Sequence, residues 1–474
     1  MTLSEFIDAC DEMGEVQRIS GASTEREIGA LTEMNARGDQ PKLLVFDDVP
    51  GHPSGRVVSG VLSSPRRLSL ALGQDIRSTE ELVQWFRGGR ARSWFSKAAD
   101  YAPTIVDRPA AVRSLPLQSD GLNVQSYPTP LWHPLDGGRY ILTGGYVLTR
   151  DPESGWINAG AYRLMVRGDS RLSLWMATSR HGKSHLQAWW KQGKPCPVVA
   201  VLGDFPLVPM LAGVEVPDGV SELNVAGAAS GAPLQAFAGA LTGLPIPTTV
   251  DLAMEGFAYP DDMTEEGPFG EGTGYYAGGV HKVPAIQVER IYQREHPIML
   301  GAPPGKPPHD FEYQLSVVRS ALIHDALEAS GVTGVQGVWS SYARELVVVA
   351  VKQQHPGHGR QAAMVAAHCG PGAYMARYVI AVDEDINPID LKDVAWALVT
   401  RSDPANDIEI VRRGWGSPID PQGHLWDEGF AYNSRAIIDA CIPYTKRDVF
   451  PAVAASDPDD LREIARKWSH VLQR

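Results

Sequence analysis

The chain has 474 residues, 43% of them hydrophobic and 21% charged, which is enough for two to three domains with buried cores. Its formal net charge of −13 argues against a nucleic acid or an anionic membrane as partner, because both would repel such a surface. The four cysteines contain no CxxC pair and so suggest neither a zinc site nor a disulfide framework. An acidic total charge still permits a local basic pocket for an anionic small molecule.

The N-terminus lacks the features of a targeting segment. It is acidic and has neither the basic nor the apolar region of a signal peptide. No apolar run approaches the roughly 20 residues of a membrane helix. These observations, with cysteines that we expect to be reduced, predict a cytoplasmic protein without a membrane partner.

The first part of the chain indicates an α/β domain, which we predict at residues 1–110. Thr2 and Glu5 form a capping-box pattern before helically spaced apolar residues, and Ser78 with Glu81 repeats that signal. Between them, residues 24–37 are typical of a helix, whereas 42–46 and 56–62 are typical of buried strands.

The middle of the chain changes to a β-rich pattern, and we predict a second domain at residues 111–305. Residues 143–166 contain two strand-like runs around the turn signal at 151–155. Further strand-like runs occupy 171–177 and 197–203, and glycine and proline are dense from 201 to 308. A long helical pattern follows and predicts a connector helix within residues 306–330.

The last part again alternates strands and helices, which predicts an α/β domain at residues 331–474. Strand-like runs lie at 343–352, 377–382 and 435–443, helical patterns at 357–368 and 457–473, and an apolar run at 393–400. The predicted fold class is therefore α/β (α+β), with a central β-rich domain between two α/β domains.

The segment Glu266-Gly-Pro-Phe-Gly-Glu271 is the first candidate for chemistry. Pro268 and two glycines exclude a regular helix, so both carboxylates lie on a structured loop. Paired carboxylates suit proton transfer, since desolvation and mutual repulsion raise the pKa of one of them toward neutral pH. The spacing alone is equally compatible with two solvated loop glutamates.

A second candidate is the strand-like run from Trp156 to Arg163. Arg163 offers a permanently charged, planar fork for a carboxylate, and Asn158 offers an amide oxygen for a cation. An odd separation puts the two on opposite faces of a strand. A bulge at Gly160 would aim them at one side, and without it they serve two sides of a ligand.

Four further residues are candidates only by context. His181 and His185 have the i, i+4 spacing of a metal pair on a helix, although lone histidines more often have structural roles. Glu222 is an unremarkable acid by itself, and His309 opens the connector helix, where it could line a pocket. The phosphate-binding motifs GxGxxG and GxxxxGK[ST] are absent, as is the hydrolase motif GxSxG.

Taken together, the EGPFGE segment followed by GYY, the N-x4-R run, the RH pair and the SE dipeptide resemble the UbiD family of decarboxylases, which use prenylated flavin mononucleotide (FMN). The resemblance extends from the N-terminal helix to residues 396–401. It implies a split-barrel-like flavin-binding domain, a C-terminal oligomerisation domain, and a catalytic Glu–Arg–Glu network of Glu266, Arg163 and Glu271. In that network Arg163 and Glu266 hold the substrate carboxylate, and Glu271 donates the proton that replaces carbon dioxide.

The same resemblance implies the ligand sites. The divalent ion, Mn²⁺ or Mg²⁺, would bind Asn158, His181 and Glu222 and bridge them to the flavin phosphate, with a K⁺ ion nearby. These three residues would also belong to the flavin site, whose further members are Thr143, Gly160, Ala161, Tyr162 and Arg180. His309 would contact the substrate. The implied partners are a small carboxylic acid, a flavin prenyltransferase that supplies the cofactor, and other copies of the chain in a homodimer or homohexamer.

The expected function is the reversible, non-oxidative decarboxylation of an aromatic, heteroaromatic or α,β-unsaturated acid. The modified flavin would act as electron sink, which fits the chemistry because a carbanion on an sp² carbon cannot otherwise disperse its charge. Burial is expected to raise the pKa of Glu271 so that it holds a proton near neutral pH. Two alternatives are a glycosidase with paired carboxylates and a flavin-binding assembly factor without turnover.

Overall fold

The computed structural model describes residues 1–53, 55–117, 123–177, 180–214, 216–422 and 432–471. The N-terminal elements are α1 (Leu3–Glu12), β1 (Val16–Ser20), α2 (Glu27–Ala36), β2 (Leu43–Asp47), β3 (Arg56–Ser59), α3 (Pro65–Ala71), α4 (Thr79–Phe86) and α5 (Arg90–Lys97). The predicted capping box begins α1, where Thr2 accepts from the backbone N–H of Glu5 and Glu5 from that of Thr2. At α4 only half of the box forms: Ser78 accepts from the N–H of Glu81, but the Glu81 carboxylate accepts from the N–H of Arg77. The apolar face of α1 is buried because its hydrophobic residues recur at helical spacing.

The middle of the chain forms a nine-stranded antiparallel sheet that curls into a half-barrel. The elements of this middle part of the chain, some of which lie outside the large sheet, are β4 (Thr104–Ile105), β5 (Arg113–Pro116), β6 (Tyr140–Leu142), β7 (Tyr146–Arg150), β8 (Ile157–Gly160), β9 (Arg163–Val166), β10 (Arg171–Trp175), α6 (His181–Lys191), β11 (Cys196–Gly203), α7 (Leu207–Ala212), α8 (Glu222–Ser230), β12 (Gln235–Ala238), β13 (Pro245–Pro247), β14 (Leu252–Glu266), β15 (His281–Gln293) and β16 (Ile298–Leu300). The order in the large sheet is β6-β9-β10-β15-β14-β11-β7-β8, with β5 paired to β15.

Two smaller sheets connect the half-barrel to its surroundings. Strand β16 pairs in parallel with β3 and so joins the N-terminal sheet, whose order is β1-β2-β3-β16. Strands β13, β12 and β4 form a separate three-stranded sheet. One hydrophobic core is continuous from α1 through the half-barrel, with the rings of Phe6 and Phe205 in edge-to-face contact at 6.0 Å.

The C-terminal part is a five-stranded mixed sheet with helices on both faces. Its elements are α9 (Asp310–Ala329), β17 (Val335–Ser341), β18 (Leu346–Val351), α10 (His358–His368), α11 (Gly370–Ala373), β19 (Tyr378–Asp383), α12 (Leu391–Arg401), β20 (Ile408–Trp415), β21 (Tyr432–Ala440) and α13 (Pro458–Lys467). The sheet order is β17-β18-β19-β21-β20, and helices α10 and α12 belong to two separate cores. The apolar run at 393–400 is thus part of helix α12.

The prediction of one strand from Trp156 to Arg163 was wrong. The chain leaves the sheet after Gly160, where the N–H of Ala161 donates to the carbonyl of Ala212, and it re-enters as β9 at Arg163. A side chain at Gly160 would lie 2.2 Å from the ring of Tyr162, which folds back over this glycine. The break, rather than a bulge, therefore separates the directions of Asn158 and Arg163.

Among the described residues, no helix is both long and apolar enough to cross a membrane. The overall class is mixed α/β, as predicted. The domain boundaries at 110, 305 and 330 stay predictions.

Candidate active site

The loop that follows β14 carries both predicted carboxylates. Glu266 is the last residue of β14 and pairs in register with His281 of β15, and Glu271 lies in the loop beyond it. The backbone N–H of Glu271 donates to the carbonyl of Tyr275 at 2.9 Å, and that of Gly137 to the carbonyl of Pro268 at 2.7 Å. The loop is therefore fixed by backbone hydrogen bonds at both ends.

Arg163, the first residue of β9, joins the two carboxylates. Its Nε and Nη2 donate to Oε1 and Oε2 of Glu266 at 2.8 and 3.2 Å, and its Nη1 donates to Oε1 of Glu271 at 2.8 Å. The side chains of Arg163 and Glu271 are each 9% exposed and that of Glu266 is not exposed. This is a buried network of one positive and two potentially negative groups, in which charge-assisted bonds are strong.

Aromatic rings surround this network. The guanidinium carbon of Arg163 lies 4.3 Å from the ring centroid of Trp175, its antiparallel partner on β10, and 5.4 Å from that of Phe269. The ring of Phe269 stacks on that of Tyr140 at 3.7 Å, and the Tyr140 hydroxyl donates to Oε1 of Glu266 at 2.6 Å. The low polarity of these walls strengthens the ionic contacts they enclose.

The protonation of the network follows from burial. Burial raises the pKa of Glu271 above its usual value, and although Arg163 opposes this shift, Glu266 adds to it. This is the direction predicted from the sequence. For Arg163, burial lowers the pKa, but the two glutamates outweigh it and raise the pKa. Arg163 is therefore charged at any working pH, and Glu271 is suited to hold a proton.

A cavity of about 450 Å³ lies between the half-barrel and the C-terminal sheet. It is lined by seven of the predicted flavin-site residues: Asn158, Gly160, Ala161, Tyr162, Arg180, His181 and Glu222. From the C-terminal part, Tyr374 and Trp415 contribute rings whose centroids are 4.9 Å apart. The volume and the mixed apolar and polar lining suit a small cofactor.

The three predicted metal-binding residues all lie in this cavity. His181 and Glu222 are the first residues of α6 and α8, and Asn158 lies on β8. The Glu222 carboxylate accepts from the N–H of Ala159 at 2.7 Å, and burial raises its pKa to about 7. Nε2 of His181 is 2.8 Å from Oδ1 of Asp218.

The donor chemistry of these residues fits a divalent ion. An amide oxygen, an imidazole nitrogen and a carboxylate suit Mn²⁺ or Mg²⁺ completed by phosphate oxygens. The neighbouring Ser221 hydroxyl is buried and has no partner in the described chain, as expected of a group that meets a ligand. Among the described residues, no three histidines, cysteines or acids lie close enough together to hold a metal ion, so the predicted ligand set needs Asn158 as its third member.

Two other predicted residues lie outside this cavity. Thr143 accepts from the N–H of Ala302 at 3.0 Å, beside a cavity of about 20 Å³ lined by Gly144, Pro209 and Met210. His309 precedes α9 and borders a separate cavity of about 420 Å³. Its Nε2 contacts the carbonyl of Gly272, the neighbour of Glu271, at 3.3 Å.

His185, the other half of the possible histidine pair, faces away from the cavity. Its Nδ1 is 3.0 Å from the hydroxyl of Thr149, and burial lowers its pKa to about 4. His181 therefore lines the cavity, whereas His185 does not.

The sequence reasoning missed Tyr140, Trp175, Tyr374 and Trp415. Tyr140 and Trp175 are ordinary strand aromatics in the sequence, and only sheet register brings them to Arg163 and Glu266. The available signal was a weak one, namely a large polar-tipped aromatic in an otherwise apolar strand.

Comparisons with known proteins identify the family of the chain. Models of the 3-octaprenyl-4-hydroxybenzoate carboxy-lyase (UbiD) domains match residues 7–86 (N-terminal), 104–307 (Rift-related) and 312–440 (C-terminal). A phenolic acid decarboxylase of Streptomyces sp. (strain D7) is 29% identical over 485 residues, which cover 100% of this chain and 98% of that protein.

Solved structures share the fold. Vanillic acid decarboxylase of Sedimentibacter hydroxybenzoicus, in its open form, is 25% identical with a TM-score of 0.82, and the match covers 100% of this chain and 99% of that one. The UbiD-class enzyme HmfF of Pelotomaculum thermopropionicum, solved with FMN, is 22% identical with a TM-score of 0.82, and the match covers 98% and 100%. An evolved dimeric form of HmfF was solved with prFMN.

Proposed function

Because the chain belongs to the UbiD family and is a carboxy-lyase, we propose that it decarboxylates a hydroxylated aromatic acid with prenylated FMN as cofactor. The observation that carries the proposal is the single guanidinium of Arg163, which holds both Glu266 and Glu271. Arg163 directly follows Tyr162, which lines the cavity with the other predicted flavin-site residues.

The residues divide the work of the reaction. Arg163 binds and neutralises the substrate carboxylate, which must lie close to the carbon that will be protonated. Glu271 carries the proton that replaces carbon dioxide, since burial raises its pKa. Glu266 is acceptor to Arg163 and keeps the guanidinium plane in place.

The cavity would hold the cofactor. When bound, prenylated FMN supplies the electron sink for the charge that decarboxylation leaves on carbon. Asn158, His181 and Glu222 would bind Mn²⁺ or Mg²⁺, and Arg180 would add positive charge for the flavin phosphate. A K⁺ ion nearby stays a prediction, as do the flavin prenyltransferase, the dimer or hexamer, the reversibility of the reaction and the cytoplasmic location.

The aromatic hydroxyl is inferred from His309. Its Nε2 contacts a carbonyl, which can only accept, so Nε2 carries the hydrogen. Burial lowers the pKa of His309 to about 4, so the ring is neutral and Nδ1 is an acceptor. That atom is buried without a partner in the described chain. A phenolic hydroxyl would donate to it, and the named relatives act on phenolic and vanillic acids.

The glycosidase alternative is not supported. Its two carboxylates must face a glycosidic bond from opposite sides, whereas Glu266 and Glu271 are bound to one guanidinium. An assembly factor without turnover would not need this network to be intact. Carbon dioxide release therefore decides between the candidates.

The test is reconstitution. The chain is co-expressed with a flavin prenyltransferase, its absorbance spectrum is recorded, and carbon dioxide release is measured for a panel of aromatic acids. We expect a flavin-like spectrum and turnover of hydroxylated benzoic acids. Glu271→Gln should retain flavin and substrate binding and lose turnover, whereas Glu265→Gln, at an exposed position near the end of β14, should behave as wild type. A colourless protein, or full turnover by Glu271→Gln, would refute the proposal.

The role of His309 has its own test. His309→Leu should lower kcat/KM by about 10- to 100-fold on 4-hydroxybenzoic acid, the worth of one hydrogen bond to a buried acceptor, and leave any turnover of benzoic acid unchanged. His368→Leu, an exposed histidine of α10, is the control. Equal losses on both acids would show that His309 only supports the loop.

A further inference from the structure

The hydrogen-bond donors are divided unequally between the two carboxylates of the network. Glu266 accepts three bonds, from the hydroxyl of Tyr140 at 2.6 Å and from Nε and Nη2 of Arg163 at 2.8 and 3.2 Å. Among the residues that the structure describes, the Glu271 side chain accepts one, from Nη1 of Arg163 at 2.8 Å. Bonds donated to a carboxylate favour its ionised form, so this inequality favours ionisation of Glu266.

Tyr140 is the donor that makes the difference. Its side chain is completely buried, and in the described chain its hydroxyl has no hydrogen-bond partner other than Glu266. Burial and the adjacent Glu266 carboxylate raise the pKa of Tyr140, so the hydroxyl keeps its proton and donates. A short bond from a neutral hydroxyl to a carboxylate is among the stronger hydrogen bonds in proteins.

The position of this hydroxyl is determined by the loop itself. The Tyr140 ring stacks on Phe269 at 3.7 Å with an interplanar angle of 27°. Nε1 of Trp132 donates to the Tyr140 carbonyl at 3.0 Å, and the N–H of Gly137 donates to the carbonyl of Pro268. The segment that carries Tyr140 is thus bound to the loop between the two glutamates by ring and backbone contacts.

We propose that Tyr140 is a positioning residue that keeps Glu266 ionised and so assigns the transferable proton of the network to Glu271. The inference rests on the proposed function, because it names which carboxylic acid supplies the proton. Tyr140 does not contact the reacting atoms and acts through Glu266.

The other charged groups around the pair agree with this assignment. The titratable neighbours that face the two glutamates are Tyr140, Asp136, Arg163 and His281. Asp136 is a buried acid whose pKa is raised by burial, which disfavours a further negative charge beside the pair. His281, opposite Glu266 in the sheet, acts to lower the pKa of Glu271, but burial outweighs it.

The proton balance of a turnover is then defined. The bond between the ring carbon and the carboxylate breaks, carbon dioxide leaves, and the bonding electron pair stays on the ring carbon. The proton of Glu271 forms the new C–H bond, and Glu271 is left as a carboxylate that regains a proton from solvent. Glu266 and Tyr140 begin and end in the same protonation state.

The experiment is a titration of the glutamates in the cofactor-free protein. Glutamate labelled with ¹³C at the side-chain carboxyl is followed by NMR across pH, and the two signals are assigned with Glu266→Gln and Glu271→Gln. In wild type we expect Glu271 to titrate above the usual range of a glutamate, because burial raises its pKa. In Tyr140→Phe, which keeps the ring and its stacking, Glu266 should titrate about 1–2 pH units higher, the equivalent of one hydrogen bond to a charged group.

A second readout uses the reconstituted enzyme. Protonation of Glu266 removes its ionic contact with Arg163, so the acid limb of the kcat–pH profile should move up by about 1–2 units in Tyr140→Phe, the equivalent of one hydrogen bond. Tyr146→Phe is the matched control, because Tyr146 is an equally buried tyrosine of the half-barrel that donates at 2.6 Å to another buried acid, Asp204.

The outcomes separate the two proposals. A shifted Glu266 titration in Tyr140→Phe but not in Tyr146→Phe supports the role of Tyr140, even if the reconstituted enzyme releases no carbon dioxide and the proposed function fails. An unchanged Glu266 titration and pH profile in a folded Tyr140→Phe protein would overturn it. Phe269→Leu, which removes the stacking and keeps the hydroxyl, should move Glu266 less than Tyr140→Phe does, and the reverse order would assign the effect to packing.

Discussion

Replacing Arg163 by lysine tests whether the fork of the guanidinium, rather than its charge, organises the site. Arg163 makes three N–H···O bonds to two buried carboxylates and packs its plane on Trp175. Lysine keeps the positive charge on one small ammonium group, which cannot reproduce the planar two-sided contact. We expect it to bind one glutamate and leave the other buried without its partner.

The size of the effect follows from the bonds that are lost. If lysine retains one of the three, two charge-assisted bonds of about 1.5–3 kcal/mol each disappear. Relaxation and the retained charge recover part of this, so we expect a net loss of about 2–4 kcal/mol. If the same contacts orient the substrate, kcat/KM falls by about 30- to 1,000-fold. The remaining carboxylate should take up a proton, because a buried charge without a partner is costly.

The assays are carbon dioxide release by the reconstituted variant and urea unfolding of the cofactor-free protein. Arg167→Lys is the control, since Arg167 lies exposed just beyond β9 and its side chain donates to the hydroxyl of Thr264. That exchange should change the free energy of unfolding by less than about 0.5 kcal/mol. If kcat/KM of the Arg163→Lys enzyme stays within about threefold of the wild-type value, the reasoning is refuted.

Three further predictions concern the cavity and the core. Burial raises the pKa of Glu222 to about 7, so Mn²⁺ affinity measured by EPR should fall by at least about tenfold for each pH unit below that value, and Glu222→Gln should remove the part of this dependence that the carboxylate causes. Gly160→Ala places a methyl group 2.2 Å from the Tyr162 ring; it should abolish flavin absorbance of the co-expressed protein while circular dichroism shows a folded chain. Asp251 is buried, one of its oxygens lacks a partner in the described chain, and burial raises its pKa to about 7. The folded state thus binds this proton more tightly than the unfolded state, so the free energy of unfolding falls as pH rises from about 4 to 7. Asp251→Asn should remove this pH dependence and raise the free energy of unfolding at pH 8 by up to about 4 kcal/mol. An unchanged pH dependence in Asp251→Asn would contradict the prediction.

Local structure was well predicted from the sequence because its causes are local. The capping box at Thr2 and the loop between Glu266 and Glu271 depend on residues within a few positions of each other. The break after Gly160 was missed because its cause is not local. There the Tyr162 ring folds over the glycine and the backbone bonds to Ala212, whose position is determined by helix α7.

The candidate site shows the same division. The family resemblance identified residues of the network and of the cavity, and the structure brings Arg163, Glu266 and Glu271 into contact. It did not indicate Tyr140, which lies 126 positions from Glu266 and reaches it through the packing of the loop against its own segment. Nor did it indicate Trp415, because a residue of the last sheet reaches the cavity only through the arrangement of whole domains.

The geometry also explains why arginine is required at position 163. A guanidinium has five N–H donors, and the contacts with Glu266 and Glu271 use one each on Nε, Nη1 and Nη2. Two donors remain, one on each terminal nitrogen, and each can donate a charge-assisted hydrogen bond to a carboxylate. Arg163 can therefore bind a substrate carboxylate without releasing either glutamate. In the proposed mechanism Glu271 stays on the same guanidinium, so substrate binding and proton delivery would be coupled through one side chain.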